Sequence, residues 1–213
     1  SAGGGLPVGT GVNLAYHAVG YQPHTAWVFQ QVYDANGTPL QNVYVDRNGD
    51  GIINNDDRYF EPIRPNWTFG FGTNFNYKNW DFSAAFRGQF GGKIFNGRKL
   101  AQGFTQYAVP QNSNSLNNVL NYTQNSPFTN LTDETYFSDY YLEDATFLRM
   151  DNATIGYMIK NAFGKTNIRV YGSVNNAFIV TKYSGVDPED FNGIDNNFYP
   201  RPRVYTLGFN INF

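Results

Sequence analysis

The last nine residues of the chain alternate without interruption between large apolar and small uncharged polar side chains. The apolar members of this alternation are Tyr205, Leu207, Phe209, Ile211 and Phe213. A period of two residues predicts a β-strand with one apolar and one polar face. Strands of membrane β-barrels have this pattern because one face meets lipid and the other meets a wet lumen. An amphipathic strand of a soluble β-protein has it as well, so the rest of the chain must distinguish the two.

The composition favours the barrel and excludes several other classes of protein. Aromatic residues make up 18% of the chain, whereas charged residues make up only 15%, against about 25% in average soluble domains. No stretch approaches the roughly 20 apolar residues of a spanning helix. The absence of cysteine excludes disulfides and thiolate chemistry. A net charge of −2 gives no basic surface, so nucleic acid is not expected as a partner.

Two further segments alternate over their full length and predict a hairpin. They cover residues 67–77 and 80–90, and Lys78 and Asn79 form the turn between them. Tyr77 and Trp80 place aromatic rings at the turn end of the apolar face, which is typical of the interfacial girdle of a membrane barrel.

Weaker alternation predicts three more strands, at about 26–34, 146–159 and 166–175, whereas residues 1–24 show no periodicity and are predicted to be loop. In the strand at 146–159, Arg149 and Asp151 fall on the same side of the alternation as the apolar residues.

The connections between these strands alternate in length. They are long at 35–66, short at 78–79, long at 91–145, short at 160–165 and long at 176–202. Membrane barrels have short periplasmic turns and long extracellular loops, whereas a β-sandwich has no reason for this asymmetry. Six strands are fewer than the roughly eight of the smallest single-chain barrels. We therefore expect the chain to be the C-terminal portion of a longer barrel protein.

A 12-residue segment from Asp46 to Asp57 matches the template of an EF-hand-type calcium loop, with Gly51 at the tight turn. Calcium prefers oxygen ligands, and this spacing predicts a structural Ca²⁺ that stiffens an outer loop. The ligands predicted are Asp46, Asn48, Asp50, Ile52 through its carbonyl, Asn54 and Asp57. The aspartate at the last position has a shorter arm than the usual glutamate. The alternative is a series of Asx and glycine turns without metal.

Several motifs together resemble those of the SusC-like (SusC/RagA family) TonB-dependent outer-membrane transporters. The resemblance covers about residues 20–213, with Ala177 as a minor departure from the usual leucine. It is carried by the calcium-like loop with Pro65–Phe71, by Tyr141–Met150, by the segment 175–189 and by the ending from Tyr199.

The resemblance implies a fold, a location and partners. The fold is all-β, an antiparallel transmembrane barrel of about 22 strands with long extracellular loops and a plug. This chain would supply C-terminal strands, without the plug and the earlier strands. The location is the outer membrane of a Gram-negative bacterium, where the outer face of the barrel meets lipid. The expected partners are a SusD-like surface lipoprotein, the TonB complex acting through the plug, and a glycan or peptide substrate. The aromatic ending, with Phe209, Ile211 and Phe213, is the expected barrel-assembly signal.

Other candidate sites are weaker. Loop tyrosines are candidates for contacts to substrate or lid: Tyr107, Tyr122, Tyr136, Tyr140 and Tyr141. Asp187 and Glu189 have the residue types of a glycosidase carboxylate pair, but beside Pro188 they are more typical of a solvated turn. We therefore do not expect an enzyme. The remaining alternative is a secreted calcium-binding β-sandwich of a carbohydrate-binding protein, which would fold without detergent.

Overall fold

The computed structural model describes residues 3–9, 12–109, 114–121, 123, 126–132, 134–190, 192–196 and 199–212. The chain divides into two compact units, which are described separately. The loop unit consists of Ser1–Arg64, Gly91–Ala145 and Tyr183–Phe198, and the sheet unit consists of Pro65–Phe90, Thr146–Lys182 and Tyr199–Phe213. None of the helices in the described ranges is long and apolar enough to cross a membrane.

The secondary structure is mostly β. The strands in chain order are β1 (Gly3–Gly9), β2 (Val12–His17), β3 (Thr25–Val28), β4 (Gln31–Tyr33), β5 (Pro39–Tyr44), β6 (Tyr59–Pro62), β7 (Trp67–Tyr77), β8 (Trp80–Phe90), β9 (Lys93–Asn96), β10 (Leu142–Asp144), β11 (Phe147–Ala162), β12 (Thr166–Thr181), β13 (Ile194–Asp195) and β14 (Val204–Asn212). Two short α-helices, α1 (Gly97–Gln102) and α2 (Thr105–Ala108), follow β9. Short 3₁₀ turns cover Asn55–Asp57, Glu134–Phe137 and Asp139–Tyr141.

The sheet unit is one antiparallel sheet with the strand order β14-β12-β11-β8-β7. Strands β7 and β8 have 11 residues each, which matches the roughly 9–11 residues that a strand needs to cross a bilayer. The hairpin between them is as predicted, with Tyr77 opposite Trp80 and Lys78 in the left-handed region at φ 56°.

The two faces of this sheet differ sharply in chemistry. Residues that are directly opposed on neighbouring strands share a face, so the register shows on which face of the sheet each side chain lies. One face carries mainly aromatic and aliphatic side chains and is largely exposed: Trp67, Phe71, Phe75, Trp80, Phe82, Ile155, Leu207 and Phe209 are examples. The other face carries Asp81, Ser83, Thr154, Arg169 and Ser173. This is the division that the wall of a membrane barrel requires.

The prediction that Arg149 and Asp151 lie on the apolar side is wrong, because β11 contains a bulge. The register of β11 with both of its neighbours shifts between Met150 and Asn152. Asp151 is an extra residue relative to β8, whereas β12 has two residues at this place, Asn176 and Ala177, against Asp151. One extra residue exchanges the two faces of the sheet for the residues that precede it in the strand. Arg149 therefore lies opposite Arg87 on the polar face, and Met150 lies opposite Phe86 on the apolar face.

Other predictions for the loops and for the first strand are also corrected. The strand predicted at 26–34 is two short strands, β3 and β4, both within the loop unit, so the barrel-type sheet has five strands rather than six. Residues 1–24, predicted as loop, contain β1 and β2. Within 91–145 the chain forms β9, α1, α2 and β10 around a buried apolar cluster that includes Phe95, Leu100, Phe128 and Tyr141.

A belt of side chains lies flat across four strands on the polar face. The guanidinium of Arg169 on β12 crosses β11 and binds the carboxylate of Asp81 on β8, with Nε 2.9 Å from Oδ2. It passes over Gly156, where a Cβ would lie against the carboxylate and 2.6 Å from Arg169 Nη2. Tyr171 lies 5.0 Å from the same guanidinium and covers Gly208 on β14. The two glycines therefore make room for the belt.

We predict that Gly156→Ala in the full-length protein separates Arg169 from Asp81. The expected loss is about 1–3 kcal/mol of unfolding free energy, as for other hydrogen bonds to charged groups. It would appear as a lower temperature at which the folded form is lost on an SDS gel. Gly72→Ala is the matched control, since a Cβ there meets only a backbone carbonyl at 3.5 Å. Equal losses for the two variants would contradict the role of Gly156.

Candidate functional site

Two of the segments that carry family motifs meet in the loop unit at Glu143. Its Oε2 accepts the N–H of Ser184 at 2.9 Å, and its Oε1 accepts the Ser184 hydroxyl at 2.8 Å. Asn96 and Lys99 donate to the same Oε1, at 3.2 and 3.3 Å. One carboxylate thus joins β10, the start of α1 and the segment that follows β12.

The elements around Glu143 position its donors. Asn96 caps α1, because its side-chain oxygen accepts the N–H of Lys99 at 2.9 Å, and this leaves its amide N–H groups for Glu143 and for the Ser184 hydroxyl. The Lys99 ammonium lies 3.7 Å from the centre of the Tyr140 ring. Burial with full pairing is the arrangement in which an ion pair is tolerated inside a protein.

Burial and hydrogen bonding have opposite effects on the pKa of Glu143. Burial alone would raise the pKa of Glu143, but the Ser184 hydrogen bonds, the Lys99 charge and the Asn96 amide together hold the pKa below its usual value. Burial lowers the pKa of Lys99 by more than Glu143 raises it. Glu143 is therefore ionised at neutral pH. The two hydrogen bonds that it accepts from Ser184 hold the 183–195 segment in place.

The other end of that segment is fastened at Asp195, which is fully buried. Its Oδ2 accepts the Tyr183 hydroxyl at 2.8 Å and the Val186 N–H at 3.1 Å, and β13 pairs in parallel with β9. Asp187 is buried nearby and accepts the N–H of Glu189 at 3.0 Å. A buried turn carboxylate of this kind does not have the open geometry of a glycosidase pair.

The predicted calcium loop is closed by its own hydrogen bonds. Asp46 accepts the N–H groups of Gly49 and Gly51 at 2.7 and 2.8 Å, and Asp50 accepts that of Ile52 at 2.8 Å. Within the described ranges, no three His, Cys, Asp or Glu side chains are grouped as a metal would need. These are Asx and glycine turns, as the alternative expects, and they do not test the calcium prediction. The oxygens still suit a hard cation, since each carboxylate oxygen has a second lone pair.

Asp57, the last residue of this loop, is buried and closes it. Its carboxylate accepts the N–H groups of Asn54 at 2.9 Å and Arg47 at 2.8 Å, and these hydrogen bonds, that of Asn54 foremost, lower its pKa. Asn54 is also the cap of the 3₁₀ turn and accepts the N–H of Asp56.

The neighbouring Arg58 anchors the loop in an aromatic cage. Its guanidinium lies 4.0 Å from the ring centre of Trp27 and 3.8 Å from that of Phe137, and it donates to the Trp27 carbonyl. Burial lowers its pKa to about 10, so it remains charged at neutral pH and contributes cation–π attraction.

The tyrosines predicted to contact substrate or lid have different environments. Tyr141 is 2% exposed and packs in the core against Phe95 and Phe128, so the prediction for it is wrong. Tyr136 and Tyr140 are half-buried against the same core. Tyr107 is half-buried, and its hydroxyl accepts from Gln102. Tyr122 lies outside the described residues.

The residues of the predicted assembly signal lie on β14, as far as they are described. Phe209 and Ile211 are 69% and 42% exposed on the apolar face, so both side chains are accessible from outside the sheet. Phe213 lies outside the described residues, so the assembly signal stays a prediction.

The polar face of the sheet unit has an uncharged centre. Ser83, Thr154, Ser173 and Thr206 are directly opposed in one row across four strands. On one side of this row the charges of Asp81 and Arg169 are paired, and towards the other end Arg87 binds Asp151 at 2.9 Å. Arg149 donates to Asn176 at 3.1 Å. The centre of this face therefore presents short hydroxyl groups, and the charges of Asp81, Arg87, Asp151 and Arg169 are paired.

Sequence reasoning missed Asn96, Lys99 and Asp195. Asn96 followed by Gly97 suggests a turn or cap, but its link to Glu143 spans 47 residues. For Asp81 and Arg169 a signal was present, since both occupy polar positions of alternating segments.

We predict that acid releases the 183–195 segment. Because the pKa of Glu143 is lowered in the folded state, its stabilising effect is complete above the unfolded value of about 4.3 and is lost as the pH falls through the folded value. A spin label at exposed Asn192 of the full-length protein should become mobile as the pH falls below about 4. Glu143→Gln should mobilise it already at pH 7, whereas the exposed Glu134→Gln should not. An immobile label in Glu143→Gln would contradict this role.

Comparison with known proteins gives a consistent set of relatives. No protein-family model matches the chain. The TonB-dependent receptor SusC of Bacteroides thetaiotaomicron is 34% identical over all of this chain, which spans 22% of that protein. The TonB-dependent receptor P3 of Formosa agariphila is 31% identical over 82% of the chain and 19% of the relative.

Solved structures show the same fold. The RagAB peptide importer in its open-open state matches 94% of this chain and 23% of its own, with a TM-score of 0.65 and 22% identity. Its closed-closed state matches with a TM-score of 0.64. The chain thus spans about a fifth of the length of these proteins. The two-faced sheet, the ordered motifs and these relatives agree: the chain belongs to the SusC-like family of TonB-dependent transporters, which are outer-membrane proteins of Gram-negative bacteria.

Proposed function

We propose that this chain forms part of the barrel wall and the extracellular loops of a TonB-dependent nutrient importer. The observation that supports this most is the sheet unit, in which an exposed apolar face backs a polar face with paired charges. In a barrel of about 22 strands, the free edges of β7 and β14 would pair with strands from the rest of the protein. A secreted sandwich would instead pack this apolar face against a second sheet.

We further infer a SusD-like surface lipoprotein as partner and a glycan or peptide as cargo. The related RagAB structures are of a peptide importer, and the uncharged hydroxyl row suits either an oligosaccharide or a peptide backbone. Energy would reach the importer from TonB through the plug of the full-length protein.

The first test is the isolation of the native polypeptide from outer membranes by an affinity tag. We expect a polypeptide of several times 24.1 kDa, a co-purifying lipoprotein, and uptake of glycan or peptide that is lost when TonB is deleted. A soluble 24.1 kDa species without partner would overturn the proposal and favour the calcium-binding sandwich. Uptake that persists without TonB would show that TonB does not supply the energy.

We also propose that the 46–57 loop takes Ca²⁺ in a structural role. The support is the oxygen donor set of Asp46, Asn48, Asp50, Ile52, Asn54 and Asp57, held within one turn-rich segment. Titration of the intact protein with Ca²⁺ should release heat, and Asp46→Ala with Asp50→Ala should abolish this signal and speed hydrogen exchange in residues 35–66 only. Asp34→Ala, in an exposed turn of the same loop unit, is the control. No heat from the wild-type protein would rule the metal out.

A further inference from the structure

The apolar face of the sheet unit contains a groove of about 520 Å³ centred on Gly172. Its lining is almost entirely apolar and comes from four neighbouring strands, β8, β11, β12 and β14. The side chains that form it are Phe82, Ala153, Ile155, Val174, Tyr205 and Leu207.

The groove exists because one position in a row of bulky residues has no side chain. Phe75, Phe82, Ile155, Gly172 and Leu207 are directly opposed in one row across the five strands. Ile155 and Leu207, on either side of Gly172, are 51% and 88% exposed and form the walls. In the next row, Ala153 extends the floor of the groove.

Backbone crowding does not account for the glycine. A Cβ at Gly172 would lie 3.4 Å from Leu207 Cδ2 and 4.0 Å from the Thr206 carbonyl, so a small side chain fits there. Gly156 and Gly208, by contrast, are covered by other side chains of this sheet. The space above Gly172 is therefore open to whatever surrounds the apolar face.

The position of the groove along the strands indicates its depth in the membrane. Tyr77, Trp80 and Tyr157 are in register at the short-turn end and form an aromatic girdle. Gly172 lies two residues from the girdle row and Ala153 four, or about 7 and 13 Å along the strand. With strands tilted by about 35–45°, the groove falls in the half of the apolar band, about 25 Å tall, that is nearest the short turns.

We propose that this groove is a binding site for one acyl chain of a phospholipid from the periplasmic leaflet. The groove is continuous with the lipid-facing surface of an outer-membrane barrel, and short turns mark its periplasmic end. Phospholipid forms that leaflet, whereas lipopolysaccharide forms the outer one. An open apolar groove with a floor of Gly172 and Ala153 can seat a flexible linear chain, and no charged side chain lines it to recognise anything else. The inference holds whatever the transporter carries.

The first experiment fills the groove. Gly172→Val places two methyl groups above the floor, and Val180→Ile adds bulk at an exposed position of the same face outside the groove. Native mass spectrometry of the intact transporter with added phosphatidylethanolamine should show one lipid held about tenfold more weakly in Gly172→Val. Val180→Ile should match the wild type. Equal retention by all three proteins would overturn the proposal.

The second experiment identifies the occupant in cells and does not depend on a destabilising change. A photo-crosslinking amino acid replaces Tyr205, which is 74% exposed at the groove. The reference position is Phe75, which lies in the row of Gly172, at a similar depth, but outside the groove. Phospholipid attached more at 205 than at 75 supports the site. Lipopolysaccharide, a second copy of the transporter or another protein at 205 would each overturn it, as would equal phospholipid labelling at both positions.

Discussion

Every backbone N–H and C=O of a strand that crosses hydrocarbon must be paired with another strand, because no water is available there. Pairing fixes the strands side by side, and the side chains alone then decide which surface meets lipid. A slip of one residue would exchange the two faces. The architecture of the sheet unit therefore depends on register, and the bulge at Asp151 shows how register is corrected. It turns Arg149 to the polar face while Met150 remains opposite Phe86 on the apolar one.

Local periodicity was enough to predict β7 and β8 with their observed ends, since each residue in them alternates and the turn is two residues long. It also predicted β14, which begins at Val204, one residue before the predicted start. It failed at the start of β11, because a bulge is defined by the partner strands and leaves no mark on a strand read alone. The segment at 26–34 was too short to be distinguished from a barrel strand, although its pairing with β6 and with β5 places it in the loop unit.

The loop unit was the least predictable part of the chain. Its order comes from contacts between residues far apart in sequence, such as Glu143 with Ser184 and Asn96, and Arg58 with Trp27 and Phe137. Polar composition suggested structureless loops, yet polar side chains here satisfy one another and allow a small core to form. Tyr141 illustrates the limit: its residue type suits a surface contact, and only packing shows that it is buried.

The belt of Asp81, Arg169 and Tyr171 has a consequence for the electrostatic field in front of the polar face. Long charged side chains usually extend away from a strand and narrow the space in front of it. Here they lie flat across the strands over Gly156 and Gly208, so they add little height to the polar face, and the opposite charges form a compact dipole. The electrostatic potential of such a dipole falls with distance much faster than that of a net charge. The electrostatic potential in front of this stretch of the polar face is therefore weaker than it would be if the two charges were unpaired.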